Sequence, residues 1–178
     1  MTSRYDYVQL AKLLDYPDET YETQVQTALI YFQGKNPVVC QLLEEFLLTL
    51  KICSTEQIQE TYSAAFDVTP ICVPYVSVHL FGEESFKRSQ LMTGLAMSYT
   101  EQGFDSGKEL PDHLRNILRF APNFKDEDWQ ELVGFVLVDA VKKMKEKLNQ
   151  SKHMFNPLIS SILEVLQKDL CTVGVGRD

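Results

Sequence analysis

The sequence predicts an all-α, single-domain helical bundle, and three observations carry that prediction. Apolar residues recur at steps of three and four along almost all of the 178 residues, the spacing that puts side chains on one face of a helix. The ends of these segments carry helix punctuation: Ser54 with Gln57 three residues on reads as a capping box, Pro37 suits a first turn, and Gly34 and Gly103 suit helix ends. One stretch alternates as a strand would, Val76, Val78 and Leu80, yet nothing else in the chain offers it a partner strand.

The elements follow in order. Arg4 to Asp15 aligns Tyr7, Leu10, Ala11 and Leu14 and stops before Pro17; Asp18 to Gln33 aligns Tyr21, Val25, Ala28, Leu29 and Phe32. Pro37 starts a segment with Cys40, Leu43, Leu47 and Leu50 in line, and Ser54 leads into Ile58, Tyr62, Ala65 and Phe66. Asp67 to Pro74 breaks the pattern, because Pro70 and Pro74 remove backbone donors and push their predecessors out of the helical region. Tyr75 to Phe81 reads as a short helix and Ser85 to Gln102 as a longer one; Phe104 to Leu110 is a second loop. Pro111 is expected to open a short helix through Phe120, which places Asp112 in a first turn where a carboxylate favours the helix dipole. Asp126 is expected to cap a long helix to about Gln150, apolar nearly all round in its first half and therefore central and buried. Pro157 starts the last helix, with Leu158, Ile162, Val165 and Leu166. The domain is drawn over 1–171, with 172–178 as a flexible tail.

Composition narrows the function. Twenty-five acidic against seventeen basic side chains give a formal charge of -8, the wrong sign for a protein that binds by neutralising phosphates. A basic peptide or protein is the better partner, since opposite charge speeds encounter. Cys40, Cys53, Cys72 and Cys171 show no C-x-x-C pair and read as reduced thiols of a cytoplasmic protein. The start of the chain shows no basic stretch followed by an apolar one, and the longest apolar run, Leu132 to Val138, is far short of a membrane span. Neither membrane insertion nor nucleic-acid binding is expected.

Enzyme signatures fail on spacing. Gly103 to Lys108 reads G-x-x-x-G-K followed by Glu109, one residue short of a phosphate loop and without its Ser or Thr. There is no G-x-S-x-G elbow and no H-E-x-x-H. Cys72, His79 and His113 could form a metal site, as in a metal-dependent regulator, only by tertiary convergence.

Two loop regions hold an unusual density of Pro, aromatic and His residues. One runs from Tyr62-x-x-x-Phe66-Asp67 through Pro70, Pro74 and Tyr75 to His79-Leu80-Phe81-Gly82; the other is Glu109-Leu110-Pro111-Asp112-His113-Leu114. With Leu13-Leu14-Asp15-Tyr16-Pro17, these elements stand in an order and spacing that resemble the NarJ-like members of the TorD/DmsD superfamily, cytoplasmic chaperones that assemble molybdenum-containing redox enzymes. The resemblance runs from Leu13 to Phe120. It implies an all-α chaperone with no catalytic residue, no cofactor and no metal of its own. Its partner would be the catalytic subunit of a molybdopterin oxidoreductase, bound by an N-terminal, twin-arginine-like segment while the apoenzyme awaits its cofactor. The matching residues are Tyr62, Phe66, Asp67, Tyr75, His79, Phe81, Gly82, Pro111, Asp112 and His113, which by analogy line the peptide groove or shape its rim. The turn Pro70-Ile71-Cys72-Val73-Pro74 replaces the basic, Ser-containing turn frequent in the nitrate-reductase type, so the client is left open, as is the choice between a monomer and a domain-swapped dimer.

The residues themselves leave second readings beside this one. Tyr62 and Phe66 stand at i and i+4, which is also core spacing; Gly82 is most simply a turn that needs positive φ. His113 could bond a loop carbonyl. A general helical adaptor for another protein would use the same surfaces.

Overall fold

The computed structural model describes residues 3–67 and 69–174 and bears out the all-α class. α1 (Arg4–Ala11) runs into a 3-10 turn at Lys12–Leu14 and is followed by α2 (Tyr21–Phe32), α3 (Pro37–Leu50) and α4 (Thr55–Phe66). After the first loop come α5 (Val76–Phe81) and α6 (Phe86–Glu101); after the second come α7 (Leu114–Phe120), α8 (Asp126–Leu132), α9 (Val138–Gln150) and α10 (Asn156–Gly174). Residues 175–178 of the expected tail lie outside the described residues; the helix itself continues through Gly174. No helix among the described residues is long and apolar enough to cross a membrane.

Local chemistry sets the boundaries. Ser3 with Asp6, and Ser54 with Gln57, form reciprocal capping boxes, and the Asn36 side chain accepts from the Val39 N–H ahead of Pro37. Gly82, after α5, stands at φ +78°, ψ 175°, a region essentially reserved for glycine. No heavy atom lies within 4 Å of where its Cβ would be, so Gly82→Ala is expected to cost about 1 to 2 kcal/mol from backbone strain alone, read as a lowered urea midpoint with unchanged slope.

α10 is the central helix. Leu158, Ile159, Ile162, Val165 and Leu166 are all buried, and α3, α9 and α1 pack around it. The sequence reading gave this place to the first half of the helix from Asp126, which the structure corrects. Lys125, not Asp126, is its N-cap, and a π turn at Val133–Leu137 joins α8 to α9. The buried stripe is Trp129, Leu132, Val133, Leu137, Ala140, Val141, Met144 and Leu148, while Gly134 and Phe135 face outward, Phe135 at 79% exposure. The apolar residues around this helix were composition, not burial.

The start of α7 is a second correction. Pro111 and Asp112 are not in its first turn: His113 is the N-cap, its Nδ1 accepting the Arg115 N–H. The reason is tertiary. The two loops pair through an isolated antiparallel bridge between Tyr75 and His113, with the Val76 N–H on the Asp112 carbonyl at 3.0 Å and the Leu114 N–H on the Pro74 carbonyl at 2.9 Å. These bonds hold Pro111 and Asp112 outside the helix.

Candidate functional site

The two loops that stood out in the sequence meet at one cavity of about 360 Å³. Its floor grows from the core. Phe155, just before α10, packs tilted or edge-on against Tyr21, Phe46, Tyr62 and Phe66 with ring centroids 5.4 to 6.4 Å apart, and Tyr62 and Phe66 continue upward to line the cavity. Core packing and a place in the cavity lining are thus both realised in the same two rings. Tyrosine hydroxyls also fix one wall: Tyr21 donates to the Leu13 carbonyl at 2.6 Å and Tyr62 to that of Leu14 at 2.8 Å, while the Gln59 amide donates to Pro17 O. The Asp15–Pro17 turn is thereby laid beside α4, with Tyr16 54% exposed at the rim.

The opposite wall is the first loop, which folds back on the end of α4 through Ile71 N–H to Ala64 O and Cys72 N–H to Ala65 O. Pro70, Val73 and Pro74 from this loop line the cavity. His79 braces it from behind, its Nε2 on the Val73 carbonyl at 2.8 Å. The second loop supplies Glu109, His113 and Arg115, held by Tyr99 O–H to Pro111 O and the Asn116 amide to Ser106 O.

Of the ten residues matched in the sequence, Tyr62, Phe66, Asp67, Tyr75 and His113 line this cavity; His79, Phe81, Gly82, Pro111 and Asp112 do not. Asp112 is wholly buried behind it. Ser77 of α5 donates to its Oδ2, and Arg88 of α6 donates to the Ser77 hydroxyl at 3.0 Å with its Nε 3.9 Å from the carboxylate. This places Asp112 as a tie among α5, α6 and the second loop, which replaces the helix-dipole role its neighbour Pro111 implied. Tyr16, Val73, Glu109 and Arg115 were not singled out, although Tyr16 and Glu109 belong to the motifs that carry the resemblance.

The cavity's charge is negative. Arg115 is already paired with Asp15 at 2.6 Å, and Tyr75 donates to Glu109 at 2.7 Å. That leaves Asp67 and Glu109 as two carboxylates with no basic side chain within 4.0 Å among the described residues. Burial, then the charge of Glu109, raises the Asp67 carboxyl; burial and the bond to Glu109 push the Tyr75 hydroxyl up to about 12. Two donors complete the lining. Since His113 Nδ1 accepts, its proton sits on Nε2, for which no partner stands among the described residues, and Arg115 Nε is buried and unpartnered. An apolar side chain with a cation beside it and backbone carbonyls to accept from His113 or Arg115 would satisfy every group.

Burial holds His113 down at about 4, with His79 and His153 shifted the same way. The unfolded chain takes up these protons near pH 6.5 and the folded chain does not, so stability is full above that pH and falls as pH drops towards 4. His113 alone is expected to remove on the order of 2 kcal/mol by pH 5. Urea midpoints at pH 7 and pH 5 check this, with a flatter profile in His113→Gln; equal midpoints in the native chain would contradict it.

Cys72, His79 and His113 do not converge: the Cys72 thiol packs on the Met144 carbonyl, and no group of three metal-binding side chains forms among the described residues.

The sequence model of the nitrate reductase delta subunit matches residues 34–161, which contain both loops and all but the Asp15–Tyr16 edge of the cavity. The chain belongs to the nitrate reductase delta subunit family. Membership indicates a maturation protein for a redox enzyme. The fold is shared with a crystal structure of a proposed redox enzyme maturation protein from Archaeoglobus fulgidus, which superimposes with a TM-score of 0.62 at 19% identity, over 91% of this chain and 93% of that one. No curated protein matches the chain significantly. Within the family match, the delta-subunit segment spans α3 to the first turns of α10 and so includes the bridge that builds the site.

Proposed function

We propose that this delta-subunit family member is a non-catalytic cytoplasmic chaperone that binds the N-terminal segment of a molybdopterin oxidoreductase catalytic subunit and holds the apoenzyme for cofactor insertion. The observation that carries the reading is the convergence of both family-type loops on a cavity with an aromatic floor and two uncompensated carboxylates. An apolar side chain of the client fills the cavity over Tyr62 and Phe66, and an arginine of a twin-arginine-like segment pairs with Asp67 and Glu109 by charge-assisted hydrogen bonds. Aromatic floors of this kind supply contact area at modest entropy cost.

Tagged chain recovered from its host under conditions that induce such an enzyme tests the role. The expected catch is the catalytic subunit, mainly without its molybdenum cofactor. Recovery of the cofactor-loaded enzyme in equal proportion, or of unrelated proteins alone, would contradict it.

A further inference from the structure

Three openings share lining residues in series. Tyr16 lines both the cavity and a neighbouring cleft with Glu56, Glu60 and Ser63, and Glu56 and Gln59 line the next cleft beyond, with Asp18 and Glu19. The acidic groups along this path lie on one ridge of α4: Glu56 and Glu60 are one turn apart, and Asp67 follows at the helix end. At 1.5 Å per residue, Glu60 and Glu56 stand about 10 and 16 Å from Asp67.

The path is stripped of positive charge in a way the chain as a whole is not. Residues 13–34 and 52–86, which build all of it but the Glu109–Arg115 edge of the cavity, contain no lysine or arginine, and Arg115 at that edge is paired with Asp15, whereas Lys142, Lys143, Lys145 and Lys147 gather on α9. Neither Glu56 nor Glu60 has a basic side chain within 4.0 Å among the described residues, and both are exposed. At the cavity end, Arg115 Nε is buried with no partner among the described residues, which calls for an acceptor from a ligand that enters there. A metal ion is not the fitting occupant, since these carboxylates do not converge. A row of separated negative charges leading from an apolar cavity is complementary to a peptide with an apolar anchor and spaced cations.

We propose that the client segment is read in two parts, an apolar anchor with its first arginine at the cavity and a cationic arm laid along α4 onto Glu60 and Glu56. This rests on the cavity reading above. In a polyproline II segment, with three residues per turn and about 3.1 Å per residue, the positions that share a face with the arginine at Asp67 are three and six residues along, about 9 and 19 Å away and within an arginine's reach of Glu60 and Glu56.

Two synthetic peptides test it by fluorescence anisotropy at low salt. One has the apolar anchor, an adjacent arginine, and arginines three and six positions further; the other carries glutamine at those two distal positions. The Glu56→Gln, Glu60→Gln double variant is expected to bind the first peptide roughly 4- to 20-fold more weakly, with the loss shrinking in high salt, and the second with less than a twofold change. Equal loss for both peptides, or loss for neither, overturns the arm while leaving the cavity standing. If neither peptide binds the native chain even at millimolar concentration, the cavity reading fails and the arm with it.

Discussion

Replacing Asp112 with alanine is expected to destabilise the chain by about 2 to 4 kcal/mol, the loss that follows when one partner of a buried hydrogen-bonded charge is removed. Its carboxylate is fully buried, and the Ser77 hydroxyl and Arg88 guanidinium are arranged on it. Removal leaves both donors facing a void between α5, α6 and the second loop. For a chain of this size the melting temperature should fall by roughly 4 to 15 °C. Asn keeps an acceptor for Ser77 and loses the charge opposite Arg88, so Asp112→Asn should fall between the two. Binding should weaken in both, because the Asp112 carbonyl and the Tyr75–His113 bridge set the cavity wall. A variant that melts like the native chain yet has lost binding would instead make Asp112 a direct contact.

Reversing the charge at Asp67 is expected to have the largest effect on binding. Asp67 is exposed at the end of α4, and beside Glu109 it forms the negative pair at the cavity. Asp67→Arg replaces attraction with repulsion of an incoming cation, and roughly 10- to 100-fold weaker binding of a basic N-terminal segment should follow at low salt. Helical content should not change. The conservative Asp67→Glu should recover much of the affinity, which separates a charge effect from damage to the loop. Calorimetric titration with such a segment checks both; unchanged affinity in Asp67→Arg would remove the carboxylate pair from recognition.

The contrast between these two aspartates marks how far sequence reasoning reached. Helix order, the Ser54 capping box, the short helix at Val76–Phe81 and the positions of the two loops were legible, because spacing and punctuation are local signals. Asp112 was misassigned because Pro111 imitates a helix start, and only the bridge to Tyr75, thirty-odd residues away in sequence, holds it out. The first half of the helix from Asp126 looked buried all round because an apolar run hides which face points inward, and Phe135 in fact faces outward. Tyr16, Glu109 and Arg115 depend on a convergence of segments at positions 16, 67, 75 and 109–115 that no window of the sequence contains. Their presence inside the quoted motifs was the one available sign for Tyr16 and Glu109, and Arg115, one residue beyond its motif, had none.

The most direct measurement is a photocrosslink from the cavity rim. A photoreactive amino acid in place of Tyr16, half-exposed beside both the cavity and the α4 track, is activated in host cells that make the oxidoreductase, and the adduct is mapped by mass spectrometry. One dominant adduct is expected, to the first residues of the catalytic subunit, abolished by Asp67→Arg. Adducts spread over the body of that subunit, or formed with another protein and indifferent to Asp67, would contradict it.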